Sequence, residues 1–307
     1  MTGAATSVDL PILVSAKGGW TRWLSRGFSV ALLVVVVAQL GQASPAAIRA
    51  AMPDSPWFAP TLLALYLALP VADWIIFRRL WRLPVDGFPV LVGKRISNEL
   101  LMMYSGEVYF YLWARRRTGL TTAPFGTIKD VNILSALAGN ALALLLLAIA
   151  YPFVTELEMG RYANAALASA GVMLGGSMVI LLASRRLFTL PLPRLAEIFA
   201  IHLARLVAGV LLCALLWHLA LPDAPIGLWI ALSTLRLLVG RLPLVPNKEL
   251  LFAAIAAFLV GDEADVVALI GLTSTAMLLL HIVFGGAVAL WALTQDGETS
   301  GKGEEAR

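Results

Sequence analysis

The sequence has little charge and almost no cysteine. Only 14% of its 307 residues are charged, whereas 60% are hydrophobic, and the mean hydropathy is +0.84. An ordinary soluble domain carries about 25% charged residues, so this composition excludes one. The single cysteine, Cys213, lies in an apolar run, which excludes a disulfide framework and a cysteine-based metal site. We therefore expect a polytopic membrane protein.

The sequence also lacks the motifs of soluble enzymes. It contains no glycine-rich phosphate loop, no Gly-x-Ser-x-Gly elbow and no pair of metal-binding carboxylates at helical spacing. Its histidines, His202, His218 and His281, have no second ligand at i+4. The net charge of +4 does not indicate a nucleic-acid partner. We predict that the protein is not an enzyme and has no metal, no cofactor and no nucleic-acid partner.

Six segments are apolar and long enough to cross a bilayer, because a span needs about 20 apolar residues. They cover residues 23–42, 57–80, 128–154, 164–184, 196–221 and 266–293. Lys and Arg collect in short cytoplasmic loops, so their positions orient the spans. Arg78 and Arg79 follow the second span, and Arg185 and Arg186 follow the fourth. These clusters place both chain termini in the cytoplasm.

Two further stretches, residues 87–117 and 227–261, are apolar but interrupted. Charged and polar residues divide the first into two pieces of about 10 to 14 residues, a length typical of re-entrant segments. In the second, Pro243 and Pro246 oppose a continuous helix, because proline removes a backbone donor and clashes with the preceding turn. We predict that both stretches are re-entrant helical hairpins.

The two hairpins share one plan: an apolar arm, basic residues, a broken tip, a glutamate and a second apolar arm. Arg95 precedes Glu107 by 12 residues, and Arg236 precedes Glu249 by 13. Corresponding interrupted segments in two halves of a chain indicate the binding site of a transporter.

The charge pattern divides the chain into two units of opposite orientation. The first unit covers residues 20–154 and starts inside, and the second covers residues 155–294 and starts outside. A cytoplasmic tail, residues 1–19, precedes them, and residues 295–307 form a disordered cytoplasmic tail. The predicted fold is an all-α polytopic membrane protein with six transmembrane helices plus two re-entrant helical hairpins in an inverted repeat.

The sequences at the two hairpin tips partly match two motifs. Asn98, Gly106 and Glu107 fit the pattern Asn-x-x-x-Pro-x-Arg-x-Gly-Glu, with Met102 and Tyr104 in place of its proline and arginine. The run Pro243-Leu244-Val245-Pro246 begins a second pattern, Pro-x-Pro-Gly-Gly-x-Gly-x-x-Glu, in which Asn247-Lys248-Glu249 replaces the glycine-rich part in shortened form. Through these motifs, residues 25–293 resemble the flippase-like domain of the lysylphosphatidylglycerol synthase transmembrane family, which includes the lipid-flipping half of MprF proteins. The resemblance implies a membrane lipid transporter.

Polar residues at the hairpins are the candidates for substrate binding. They are Glu107, Glu249, Arg236, Arg241, Lys248, Lys94, Arg95, Asn98 and Tyr104. The glutamates could balance a cationic headgroup or carry protons, or each could cap its own hairpin by accepting backbone N–H bonds. The basic residues could hold lipid phosphate, although Lys94 and Arg95 could instead snorkel to the cytoplasmic interface. Asp73, one or two turns before Arg78 and Arg79, favours an ion pair, either within its own helix or at an interface.

We expect a flippase-like lipid transporter that moves a phospholipid or a lipid-linked headgroup between leaflets of the bacterial inner membrane by alternating access. Its partners would be membrane lipids with anionic or zwitterionic headgroups, and a homo-oligomer is compatible with the sequence. Two alternatives stay open. One is an intramembrane lipid-modifying transferase with Glu107 as its base. The other is a non-transporting accessory protein of an envelope-lipid pathway.

Overall fold

The computed structural model describes residues 53–100, 104–117, 124–156, 175–176, 187–240, 252, 256 and 264–304. All regular secondary structure in these ranges is helical, which confirms the prediction of an all-α protein for this part of the chain. The helices are α1 (Phe58–Trp81), α2 (Gly87–Leu100), α3 (Ser105–Arg117), α4 (Pro124–Glu156), α5 (Leu192–Ala220), α6 (Ile226–Val239) and α7 (Ala264–Glu304).

Four of these helices contain an apolar stretch long enough to cross a bilayer. The stretches are Phe58–Trp81, Phe125–Leu146, Leu192–Ala220 and Leu269–Ala292. They agree with the spans predicted at residues 57–80, 128–154, 196–221 and 266–293. The spans predicted at residues 23–42 and 164–184 lie outside the described residues, except that Gly175 and Gly176 are helical.

The last helix continues beyond its apolar stretch. The sequence predicts that the final span ends at Leu293 and that a disordered tail follows, but α7 extends to Glu304. A helix forms its backbone hydrogen bonds within itself, so it can continue from an apolar stretch into polar sequence.

A short connection sets the start of the second helix. Helix α1 ends because Arg82 adopts a left-handed φ of 53° and donates its N–H to the carbonyl of Arg78 at 2.9 Å. Pro84 follows and cannot continue the helix. Helix α2 then begins at Gly87, where a Cβ would lie 2.8 Å from Cγ of Leu83, so the chain turns back closely on itself.

The chain divides into two compact units. In the first unit, the described parts are α1 from Asp73, α2, α3, the beginning of α4 as far as Ile128, and α7 from Leu278. The second unit comprises residues 45–72 and 129–277. The inverted-repeat units expected at residues 20–154 and 155–294 stay a prediction.

Aromatic rings form part of the core of the second unit. The indole N–H of Trp217 donates to Oγ1 of Thr273 at 3.1 Å, and the Trp217 ring stacks on Phe252 with centroids 5.8 Å apart. The ring centroids of Trp229 and Trp217 lie 6.1 Å apart. The side chains of Trp217, Trp229 and Phe252 are all buried. Because Trp217 lies on α5 and Thr273 on α7, this cluster joins the two helices.

Candidate functional site

The stretch predicted as the first hairpin forms two helices, α2 and α3, that pack against each other. At about 1.5 Å per residue, the 14 residues of α2 and the 13 of α3 extend about 21 and 20 Å. The hydrocarbon core of a bilayer is about 30 Å thick, so neither helix can cross it. Tyr104, with a left-handed φ of 68°, precedes α3 and lies in the turn between the helices. Re-entrant placement of this hairpin in a membrane stays a prediction.

The two helices approach each other closely at Gly106, in the first turn of α3. A Cβ at this position would lie 2.0 Å from the carbonyl oxygen of Lys94 and 2.9 Å from Oδ1 of Asn98. Gly93 is the counterpart on α2, because a Cβ there would lie 3.0 Å from the ring of Tyr109. Glycine at position 106 lets α3 approach the backbone of α2, and glycine at position 93 leaves room for the side chain of Tyr109.

Asn98 holds the beginning of α3. Its Oδ1 accepts a hydrogen bond from the backbone N–H of Gly106 at 2.8 Å, and its Nδ2 donates to Oε1 of Glu107 at 3.1 Å. A backbone N–H can only donate, so this pair of contacts fixes which way the amide points. Among the described residues, the cap at the start of α3 therefore comes from Asn98 and not from Glu107.

A buried ion pair links the hairpin to α1. Nζ of Lys94 lies 2.8 Å from Oδ2 of Asp73 and 3.6 Å from Oε1 of Glu107. The side chains of Lys94, Asp73 and Glu107 are 6%, 3% and 16% exposed. Lys94 is thus enclosed by protein, which excludes snorkelling to an interface.

Asp73 does form an ion pair, but the alternative that it pairs with the arginines of its own helix is wrong. Asp73 bonds Lys94 of α2, and Arg78 lies over the ring of Trp74, 4.9 Å from its centroid. The reason is helical geometry, because side chains three or four residues apart are neighbours on a helix. Arg78 and Arg79 are five and six residues from Asp73 and therefore do not face it.

The cluster formed by Asp73, Lys94, Asn98 and Glu107, called here the polar cluster, carries an excess of charge. It contains one ammonium and two carboxylates, which leaves one negative charge when all three groups are ionised. Oε2 of Glu107 is buried and accepts no hydrogen bond from the part of the chain that the structure describes. Leaving a buried carboxylate oxygen without a partner is costly, so this oxygen is suited to accept a hydrogen bond from a donor group of a ligand.

Comparison with protein-family models, curated proteins and solved structures finds no match. The resemblance to the flippase-like domain of the lysylphosphatidylglycerol synthase transmembrane family therefore stays a prediction. The chemistry of the polar cluster has to follow from its own geometry.

An aromatic cluster fixes α1 against α3 beside these charges. The rings of Phe77 and Phe110 have centroids 4.6 Å apart, and both side chains are fully buried. Trp81 lies 6.0 Å from Phe110, and Trp113 lies 6.3 Å from it. Asp73, Phe77 and Trp81 are spaced at i, i+4 and i+8 and so share one face of α1. The same packing that buries the rings therefore brings Asp73 towards the hairpin.

The structure brings together three of the nine predicted site residues, Lys94, Asn98 and Glu107. Tyr104 is 63% exposed in the adjoining turn, and Arg95 is half-buried on α2. Arg236 is half-buried on α6 in the second unit. The remaining predicted residues lie outside the described ranges: Arg241, Lys248 and Glu249.

Asp73 is the member of the polar cluster that sequence reasoning did not select. The signal was nevertheless present in the sequence. Asp73 lies inside an apolar span, and the residues three and four positions away on either side are Pro70, Leu69, Ile76 and Phe77. An acid in a span without a basic neighbour on its own helix must find a partner on another helix.

Potential metal ligands do not come together in the described ranges, where no three His, Cys, Asp or Glu side chains are grouped suitably. His202 is 1% exposed, and its helical neighbour Arg205 donates to Oγ of Ser135 at 3.3 Å. Glu197, on the same helix, accepts a hydrogen bond from Arg194 at 2.8 Å.

Proposed function

We propose that the chain is a flippase-like lipid transporter of the bacterial inner membrane. It moves a phospholipid or a lipid-linked headgroup between leaflets by alternating access. The observation that carries this proposal is the polar cluster, which places three ionisable side chains between the hairpin and an apolar helix long enough to span a membrane. Ionisable groups inside a membrane protein are costly and mark the pathway of a substrate or an ion.

A structural role alone accounts poorly for this arrangement. A buried ion pair adds little stability over apolar residues of similar volume. A purely structural pair would also be balanced, with one carboxylate for one ammonium. The polar cluster instead contains a second carboxylate, with an oxygen that has no hydrogen-bond partner among the described residues. This surplus supports a role in binding.

The proposed topology has six transmembrane helices, two re-entrant hairpins and both termini in the cytoplasm. Four helices of sufficient length and apolar character support it, as do the short lengths of α2 and α3. In this topology, the turn at Tyr104 and the N-terminus of α3 lie within the membrane. The backbone N–H groups and the positive end of the α3 dipole then attract the anionic part of a headgroup.

Glu107 and the second hairpin complete the proposed mechanism. The free oxygen of Glu107 accepts a hydrogen bond from the ammonium of a zwitterionic headgroup. Arg236, Arg241, Lys248 and Glu249 provide the corresponding polar set of the second hairpin. The acyl chains stay in the bilayer, while Tyr104 and Tyr109 line the side through which the headgroup enters.

Leaflet exchange in reconstituted vesicles tests this function. Fluorescent anionic and zwitterionic phospholipids are incorporated, and a membrane-impermeant quencher reports the fraction in the outer leaflet over time. We expect faster exchange of at least one lipid with native protein and loss of that gain in a Glu107→Gln, Glu249→Gln double variant. Glu99→Gln is the matched control, because Glu99 is exposed on the same hairpin.

The other outcomes separate the alternatives. Exchange at the background rate for every lipid, from protein that is shown to be folded, would overturn the proposal and favour an accessory protein. A new lipid species in the same vesicles, detected by mass spectrometry and absent in Glu107→Gln, would favour the transferase.

A further inference from the structure

We infer that the C-terminal ends of α1 and α3 together bind the headgroup of an anionic phospholipid with two phosphates. This lipid stays bound at the protein surface, so the inference goes beyond the transported lipid and does not depend on transport. The observation behind it is that both helices end in arginines. These arginines, called here the basic end, are Arg78, Arg79, Arg82, Arg115, Arg116 and Arg117.

Contacts along α1 and α3 show that the two helices run in the same direction. Asp73 of α1 is joined through Lys94 to Glu107, in the first turn of α3. One turn further along α1, Phe77 packs on Phe110 of α3, with ring centroids 4.6 Å apart. A later residue of α1 therefore meets a later residue of α3.

The connection after α1 continues this order. A Cβ at Gly87 would lie 2.8 Å from Cγ of Leu83 and 3.1 Å from the ring of Trp113, so the connection lies beside the last turns of α3. Arg82 directly precedes Leu83, and Arg115 follows Trp113 by two residues. The arginines of α1 and α3 are thus at the same level.

The basic end lies at the depth of lipid headgroups. The apolar stretch Phe58–Trp81 has 24 residues and is about 36 Å long, whereas the hydrocarbon core of a bilayer is about 30 Å thick. A helix that crosses this core brings its last turn to the headgroups. Trp81 and Trp113 lie 6.0 and 6.3 Å from Phe110, just before the arginines, and tryptophan is typical of the membrane interface. In the proposed topology this is the cytoplasmic leaflet.

The chemistry of the basic end fits phosphate. Its exposed side chains are those of Arg78, Arg79, Arg82 and Arg115. A guanidinium group has five N–H donors in a planar fork, so an arginine that already contacts protein can still donate to a phosphate. The sequence contains no acid at residues 108–129 and only Asp86 at residues 74–93. One carboxylate can neutralise one arginine, so Asp86 cannot balance the basic end.

The use of two helices favours a headgroup with two phosphates. The axes of packed helices are about 8–10 Å apart, so arginines of α1 and α3 approach a headgroup from two sides. Arg78 lies over the ring of Trp74, 4.9 Å from its centroid, which orients one guanidinium at this surface. Each helix can hold one phosphate, and a single lipid satisfies both. Basic pockets between membrane helices bind headgroups of this kind.

Native mass spectrometry of the full-length protein in detergent tests the site. The probes are diphosphatidylglycerol, phosphatidylglycerol and phosphatidylethanolamine, each added at the same concentrations. We expect diphosphatidylglycerol to bind most tightly and phosphatidylethanolamine least tightly. Diphosphatidylglycerol should also raise the thermal unfolding temperature of the native protein more than phosphatidylethanolamine does, because a ligand of the folded state stabilises it. Equal binding and equal stabilisation by these two lipids would overturn the inference.

Two double variants test the contribution of each helix. Replacing two arginines on one helix should weaken binding of diphosphatidylglycerol by about tenfold or more. The variants are Arg78→Gln with Arg82→Gln on the side of α1, and Arg115→Gln with Arg116→Gln on α3. Arg194→Gln is the matched control and should bind as the native protein does, because Arg194 is exposed on α5 and pairs with Glu197 at 2.8 Å.

The remaining outcomes are decisive against the site. Native affinity in either double variant would overturn binding by both helices. A loss in Arg194→Gln equal to that in the double variants would mean that surface charge in general, and not the basic end, attracts the lipid. Sodium pyrophosphate should not displace the lipid at an equal concentration, and displacement would assign the arginines to a soluble ligand instead.

Discussion

At the scale of single residues, the two carboxylates beside Lys94 are not equivalent. Asp73 makes the shorter contact, but Glu107 is close enough to replace it as the partner of the ammonium. Lys94 is the single cation of the polar cluster, and its loss removes the counter-charge of both carboxylates. The network therefore tolerates loss of an acid better than loss of the base.

This asymmetry predicts unequal losses of stability. Lys94→Met leaves two buried carboxylates without a counter-charge and should lower the free energy of unfolding by about 3–5 kcal/mol. Asp73→Asn should cost about 1–3 kcal/mol, because Lys94 keeps Glu107 and the amide still accepts a hydrogen bond. Unfolding by sodium dodecyl sulfate in mixed micelles measures both values, and equal losses would contradict the asymmetry.

Gly106 gives a second test at the residue scale. Gly106→Ala places a Cβ 2.0 Å from a backbone carbonyl oxygen, which can move only if α2 and α3 separate. We expect a loss of about 3 kcal/mol or more, at the upper end of the cost of overpacking.

Gly209→Ala is the matched control in the same unfolding assay. Gly209 is also helical, but a Cβ there would meet no atom within 4 Å. Alanine is the better helix former, so this variant should be as stable as the native protein or more stable by up to about 1 kcal/mol. Similar losses in the two variants would show that the backbones do not meet at Gly106.

The sequence predicted part of the polar cluster for a physical reason. Lys94, Asn98 and Glu107 interrupt an otherwise apolar stretch, and polar groups at membrane depth require a partner or a function. The contacts among them were not predictable, because they depend on the close approach of two helices at Gly106. Asp73 was assigned to the nearest arginines in the sequence, although the angular spacing of a helix keeps these residues apart.

At the scale of elements, the turn between α2 and α3 is strained at Tyr104. A left-handed φ is disfavoured for a residue with a Cβ by about 1–2 kcal/mol. Tyr104→Gly should therefore stabilise the hairpin by up to about 1 kcal/mol after the entropic cost of glycine. Tyr104→Val should destabilise it, since a branched Cβ suits this conformation least. Thermal unfolding in detergent compares the two variants, and an unchanged melting temperature in both would contradict the strain.

The start of α5 depends on a buried acid of α4. Oδ2 of Asp130 accepts hydrogen bonds from the N–H and hydroxyl of Thr189, both at 2.7 Å, and from the N–H of Leu190 at 2.9 Å. Lys129 binds the carbonyl of Leu187 in the same connection. Two adjacent residues of α4 thus hold the segment that precedes α5.

We predict that Asp130→Ala costs about 1–3 kcal/mol of stability, because the segment loses its acceptor. It should also make residues 187–191 susceptible to a protease. Asp130→Asn keeps a side-chain oxygen and should lose less. Limited proteolysis and unfolding of the three proteins check this prediction. Equal protection in Asp130→Ala and the native protein would show that the acceptor is dispensable.

The sequence was most informative about long apolar elements. Each of the four described apolar stretches overlaps a predicted span, and helix α4 (Pro124–Glu156) covers the whole of the span predicted at residues 128–154. The tip of the first hairpin was predicted near Gly106 and Glu107, whereas α3 begins at Ser105 and Glu107 lies in its first turn. The exact position of the turn depends on the Asn98 cap, which pattern reasoning treated as a binding residue.

At the scale of the whole molecule, the re-entrant placement of the hairpin predicts which positions share a side of the membrane. In a Cys213→Ala background, cysteines replace Val85, before α2, and Phe125, at the start of α4. Their side chains are 70% and 44% exposed. Both should react with an impermeant thiol reagent from the cytoplasmic side.

Trp57→Cys is the control for the opposite side, since the 68% exposed Trp57 precedes the span formed by α1. It should react only from the outside. Labelling of Val85→Cys and Phe125→Cys from opposite sides would mean that α2 and α3 together cross the membrane. That result would contradict the proposed inverted repeat.

The local character of the polar cluster has a consequence for biosynthesis. Lys94 follows Asp73 by 21 residues, and Glu107 follows Asn98 by nine. A charged side chain that enters lipid alone costs about 2.5–3.5 kcal/mol on the scale of translocon insertion. All the partners are synthesised before the second half of the chain, so the charges can be paired when this segment leaves the ribosome. The hairpin can therefore enter the membrane as a preassembled, largely neutralised unit.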